Sequence, residues 1–164
     1  MRIVFENLFK KNREQYEFAA PMKGKLLSIS EVPDPAFSGK MMGDGFAIEP
    51  VDGNVVSPVD GKIQMVFPTK HAIGIAADNG LEILVHFGLD TVTLNGEGFE
   101  VLVVENQTIR KGEPMLRVDI DSIRGKVPSL VSPVVITNLN GKEIELTQKG
   151  NVEKGETVIL KVNN

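Results

Sequence analysis

His71 and His86 are the only histidines among 164 residues, and the chain has no cysteine. They are therefore the side chains best suited to nucleophilic, basic or metal-binding chemistry near neutral pH. An Asn79-Gly80 dipeptide lies between them, and flanking apolar runs make it a strong hairpin signal. A two-residue turn there pairs Ala76 with Ile83, Gly74 with Val85 and Ala72 with Phe87, small residues facing large ones as in a packed interior. The opposite face then carries Thr69, His71, Ile73 and Ile75 against Glu82, Leu84, His86 and Gly88. In that register the histidines are diagonal neighbours with backbones about 7–8 Å apart, within reach of large side chains. Gly88 opposite His71 leaves room for the rings, and Thr69 points the same way as His71. A three-residue loop would instead move one histidine to the other face.

Two neutral imidazoles can act as metal ligands, as a general base or as a nucleophile. A catalytic zinc needs a third protein ligand, for which Asp34 or Asp90 would have to serve, so a zinc-dependent hydrolase stays open. No Gly-x-Ser-x-Gly elbow supports a serine hydrolase. A histidine that takes and gives a phosphoryl group requires less: one ring attacks, the second stabilises transferred charge, and a hydroxyl orients the second. A purely structural pair, satisfied by hydrogen bonds, is the remaining alternative.

The elements that must position these rings read as strands. Candidates are 46–48, 54–57, 61–67, 81–87, 100–104, 115–119, 134–138, 144–148 and 157–162, with one helical turn within 119–126. Strands this short, in a chain with 16 glycines and 9 prolines, imply an all-β antiparallel sandwich or barrel. No segment is long enough for a βαβ crossover. Pro21-Met22-Lys23-Gly24-Lys25-Leu26 echoes Pro58-Val59-Asp60-Gly61-Lys62-Ile63, and Lys111-Gly112-Glu113 echoes Lys154-Gly155-Glu156, which suggests internal duplication. The same echoes raise a lipoyl or biotinyl carrier, but the hairpin tip holds Asn-Gly where such a carrier needs lysine. Residues 32–45 form a loop rich in proline and glycine that also holds Phe37, Met41 and Met42. Such side chains either tuck under the loop or offer an adaptable contact surface.

Residues 1–17 read as an amphipathic or flexible segment preceding a domain over 18–164. Weak membrane-surface contact through residues 1–13 is one use for it. A net charge of −4 argues against nucleic-acid binding. No 18-residue apolar run or signal peptide is present, and a cytoplasmic location is expected.

Gly80-Leu81-Glu82-Ile83-Leu84-Val85-His86-Phe87-Gly88-Leu89-Asp90-Thr91-Val92 closely resembles the glucose-family enzyme IIA of the bacterial sugar phosphotransferase system. Val32-Pro33-Asp34, Gly43-Asp44-Gly45, Ser57-Pro58-Val59-Asp60-Gly61, Gly96-Glu97-Gly98-Phe99 and Ser132-Pro133-Val134-Val135 are similar to further landmarks of that family. The resemblance implies a duplicated antiparallel β-sandwich without cofactor. It also implies that His86 is phosphorylated at Nε2, that His71 hydrogen-bonds the phosphoryl group, and that Thr69 orients His71. A backbone carbonyl near Gly88 would fix the tautomer of His86. Implied partners are the histidine-containing phosphocarrier protein as donor and the cysteine of a permease IIB domain as acceptor. Regulatory target proteins are also implied, and a metal could bridge His71 and His86 in a partner complex. Phe37, Met41, Met42, Phe67, Leu84 and Val92 would form an apolar docking ring, with Asp34 and Asp90 at its centre. Such a transient interface would bury about 1,200 Å² or less.

Overall fold

The computed structural model describes residues 14–163, so most of the expected amphipathic or flexible segment, and the membrane contact of residues 1–13, lie outside the described residues. Strands hold 45% of the described residues and helical turns 10%, with sheets that do not close into a barrel. The architecture is therefore an all-β sandwich. In order the strands are β1 (Gln15–Ala19), β2 (Gly24–Ser28), β3 (Asp44–Pro50), β4 (Asn54–Val56), β5 (Gly61–Val66), β6 (Ala72–Ala77) and β7 (Glu82–His86). They continue with β8 (Phe99–Val101), β9 (Thr108–Ile109), β10 (Pro114–Val118), β11 (Ser132–Ile136), β12 (Glu143–Leu146), β13 (Gly150–Val152) and β14 (Thr157–Asn163). β1 begins before the 17/18 boundary drawn on periodicity, because Tyr16 and Glu17 already pair with β14.

One large sheet runs β13-β2-β3-β11-β7-β6-β5-β9, and two three-stranded sheets run β1-β14-β12 and β4-β10-β8. The main core lies between them and includes Phe18, Phe46, Ile48, Ile63, Ile73, Ile75, Ile83, Phe87 and Met115. Fully burying side chains of this size stabilises the fold by about 1.5–3 kcal/mol each.

The sequence echoes are one local structure built twice. Ala19 N–H donates to Pro58 O and Val56 N–H to Pro21 O, so the two Pro-x-x-Gly segments cross each other. Ala20 N–H donates to Glu156 O, and its own carbonyl accepts from Gly155 N–H. Ser57 makes the same pair of bonds with Glu113 O and Gly112 N–H. Both Lys-Gly-Glu turns are closed by their glutamate, Glu113 accepting from Arg110 N–H and Glu156 from Glu153 N–H. β14 pairs with β1 as β10 pairs with β4.

The hairpin register differs from the expected one. Ala72 faces His86, Ile73 faces Val85 and Ile75 faces Ile83. The loop is three residues long, closed by Ala77 N–H on Leu81 O at 2.8 Å. Asp78 is drawn out of the strand by a bond from its N–H to Asp60 O, Gly80 adopts φ 93°, and the Asn79 side chain accepts from Leu81 N–H. A one-residue shift exchanges faces, so Ile73 and Ile75 join Val85 in the main core. Ala72 and Leu84 lie on the other side with Phe37, Val135 and Leu89 in a smaller cluster.

Candidate functional site

Strict alternation in the observed register would put His71 on the face away from His86. The strand, however, starts only at Ala72, and Lys70 just before it takes φ 64°. Phe67 N–H bonds to Ala72 O and Lys70 N–H to Phe67 O, so the segment folds back on itself before His71. His71 therefore leaves the pleat, and its ring centroid lies 4.7 Å from that of His86, the planes crossing at 82°. His71 is buried at 3% exposure, whereas His86 is partly open.

Each ring has a partner for its Nδ1. That of His86 lies 2.8 Å from Gly88 O, and that of His71 lies 2.8 Å from Thr69 Oγ1. A carbonyl can only accept, so His86 carries its proton on Nδ1 and its lone pair on Nε2. Gly88 adopts φ 70°, and a Cβ there would come within 2.7 Å of Thr91 Cγ2. Glycine is required at this turn. Thr91, fully buried, donates to Phe87 O, and Ser132 accepts from Gly88 N–H.

Burial, followed by the neighbouring His71, pushes His86 down to about 4; the Gly88 bond and the Asp34 charge oppose this. Burial also lowers His71, against the bond to Thr69. Both rings are thus neutral near pH 7, and His86 presents Nε2 as a nucleophile or ligand atom.

The other expected residues separate into two groups. Phe37 sits in a short helix, α1 (Pro35–Ser38), with its ring 5.1 Å from His86; Phe67 lies 5.6 Å from His71. Phe37 (5% exposed) and Leu84 (8%) are core residues, a correction to their expected place in an exposed ring. Alternation puts Leu84 on the His86 face of β7, in the same small cluster as Phe37. Met41 (80%), Met42 (42%) and Val92 (49%) are the exposed apolar members. Asp34 caps α1 by accepting from Ala36 N–H. Asp90 is exposed in a left-handed conformation and caps nothing with its side chain.

The sequence reading passes over α1, although Asp34 as cap followed by Pro35 was an available helix-start signal. It gives Ser132 no role of its own; a lone hydroxyl among Pro133-Val134-Val135-Ile136 was the clue. Among the described residues no group of three or more His, Cys, Asp or Glu is placed to hold a metal, which leaves the zinc-hydrolase alternative without its third ligand. No described helix is long and apolar enough to cross a membrane.

Residues 16–142 match the family described as phosphoenolpyruvate-dependent sugar phosphotransferase system, EIIA 1. Over 141 residues the chain is 55% identical to the glucose-specific EIICBA component of Staphylococcus carnosus strain TM300, covering 86% of this chain but 21% of that relative. It thus spans about a fifth of the length of the longer relatives it matches. Against the glucose-specific EIIA component of Staphylococcus aureus strain COL it is 48% identical, covering 97% of this chain and 98% of the relative. The solved structure of glucose permease IIA from Mycoplasma capricolum superposes with a TM-score of 0.84 at 43% identity, covering 90% of this chain and 96% of that one.

Proposed function

Because this chain belongs to the EIIA 1 family of the phosphoenolpyruvate-dependent sugar phosphotransferase system, we propose that it carries a phosphoryl group on Nε2 of His86. The observation that carries this reading is the perpendicular pair of neutral imidazoles, with the Nδ1 proton of His86 committed to Gly88 O. The donor is the histidine-containing phosphocarrier protein, and its nitrogen–phosphorus bond breaks as the bond to Nε2 forms. His71 then donates from its own Nε2–H to a phosphoryl oxygen, while the Thr69 hydroxyl donates to Nδ1 of His71 and orients the ring. With Nδ1 of His86 still protonated, the phosphorylated ring departs as neutral imidazole, a good leaving group for the next transfer.

The acceptor is the cysteine of a glucose-type permease IIB domain. The relative named EIICBA, which joins components of this system in one chain, supports that assignment. Partners dock on Met41, Met42, Phe67 and Val92 above the histidines, with Asp34 and Asp90 attracting a basic surface. Regulatory proteins that sense the phosphorylation state would use the same surface. The carrier unit is the domain assigned to residues 18–164, extended by the start of β1, and the location is cytoplasmic.

The test is incubation with phosphoenolpyruvate and the upstream phosphotransferase proteins. Stoichiometric acid-labile label that chases to a IIB domain is expected. Absence of label on a folded, native chain would overturn the reading.

A further inference from the structure

The peptide that holds His86 is itself held by one buried side chain. Ser132 opens β11 and is 0% exposed. The ladder between β11 and β7 is registered only from Val134 opposite Val85. Where backbone pairing gives out, Gly88 N–H donates to Ser132 Oγ at 3.0 Å, and Ser132 Oγ donates to Leu130 O at 2.9 Å. A hydroxyl has one proton, and a carbonyl can only accept. The Ser132 proton is therefore committed to Leu130 O, which leaves a lone pair facing Gly88 N–H. On the other side of the same residue, Gly88 O accepts from His86 Nδ1 at 2.8 Å, and Leu89 N–H donates to Ser129 O. The result is a directed relay: His86 to Gly88, Gly88 to Ser132, Ser132 to Leu130.

We propose that Ser132 is a positioning residue for phosphoryl carriage: by anchoring Gly88 N–H it aims the Gly88 carbonyl at His86 Nδ1 and so selects the tautomer that leaves Nε2 free. The inference rests on the phosphoryl-carrier reading, but its effect on the resting ring does not require phosphorylation. The remaining ties on this turn are the Thr91 hydroxyl on Phe87 O and backbone bonds. Neither touches Gly88 N–H. Without the Ser132 oxygen that buried N–H has no partner, and the φ 70° turn loses the bond that orients its carbonyl.

The test compares Ser132→Thr with Ser132→Val, which have the same shape and differ by the hydroxyl. Nitrogen-15 NMR of unphosphorylated protein reads the His86 tautomer, separating this inference from the carrier reading. Wild type and Ser132→Thr should show only Nδ1–H. Ser132→Val should show a mixture with Nε2–H and accept label about tenfold more slowly. A single Nδ1–H tautomer with wild-type transfer in Ser132→Val would overturn the proposal, whatever its melting temperature. A measurement on wild type stands independently of how the variants fold. The Gly88 amide should be strongly protected from hydrogen exchange, and exchange at the rate of an open loop would overturn the proposal equally.

Discussion

The two halves of this duplicated fold place different chemistry on one backbone frame. β2 and β3 begin their pairing at Gly24 opposite Pro50, as β5 and β6 do at Gly61 opposite Ala77. Stepping back equally along β3 and β6 brings Gly45 opposite Val135 in one half and Ala72 opposite His86 in the other. One residue earlier stand Asp44 and His71, each preceded by a residue with positive φ, Gly43 and Lys70. The Asp44 carboxylate is used up internally: it accepts from Gly45 N–H and from Ile144 N–H of β12, and pairs with Lys40 at 3.3 Å. Val135 is sealed at 0% exposure. The His71 ring instead has Thr69 on one nitrogen and the His86 ring across its face. The frame alone therefore does not make a site. One half is closed by an added strand and a buried charge, while the other leaves a nucleophilic nitrogen at the surface.

The comparison can be broken most severely by copying the closed half onto the open one. His86→Val, mimicking Val135, should abolish acid-labile labelling, a loss beyond about 10³-fold, with the melting temperature held or raised. Labelling that persisted would place the nucleophile elsewhere. Next in size, His71→Ala should still take up label but pass it to a IIB domain about 10²-fold more slowly. Chase kinetics check this, and wild-type transfer would remove its role in stabilising charge. In the closed half, Asp44→Ala should cost about 1–3 kcal/mol by leaving the buried Ile144 and Gly45 N–H groups without their carboxylate acceptor. A denaturant melt reads that cost, while the labelling rate per folded molecule stays unchanged. A loss of labelling without loss of stability would mean that the two halves are not separable in this way.

The smallest effect on labelling is that of pH. His86 titrates at about 4 in the fold against about 6.5 in the unfolded chain, so folding favours the neutral ring. That contribution is complete above pH 6.5 and is lost as pH falls toward 4. Labelling should vary less than about twofold from pH 8 to 5, where the ring stays at least about nine-tenths neutral. His86→Val should flatten the pH dependence of stability between 6.5 and 4. A labelling rate that halves near pH 6.5 would contradict the buried, neutral imidazole.

The all-β class was readable because strand-forming runs alternate with Pro-Gly and Asn-Gly turns, and the duplication was readable because both Lys-Gly-Glu turns use the same glutamate cap. The register of the central hairpin was not. Asn79-Gly80 suits loops of two or three residues, and the deciding bond, Asp78 N–H to Asp60 O, comes from a neighbouring turn. The two imidazoles meet not through a two-residue hairpin register but because Lys70 turns the chain just before His71. Phe37 and Leu84 read as surface residues because nothing local reveals that α1 folds down over β7. The long-range bonds of Ser132 and Asp44 were not readable for a similar reason, since the Gly88 and Ile144 N–H groups that they accept from lie far away in sequence.

The central claim is an atom, Nε2 of His86, and it is tested most directly by locating the phosphorus. Protein labelled through the phosphotransferase chain should show, by phosphorus–nitrogen correlation NMR with fragment mass mapping, one phosphoramidate at Nε2 of His86 with Nδ1 protonated. A phosphoryl group on Nδ1 of His86, or on His71, would contradict the account.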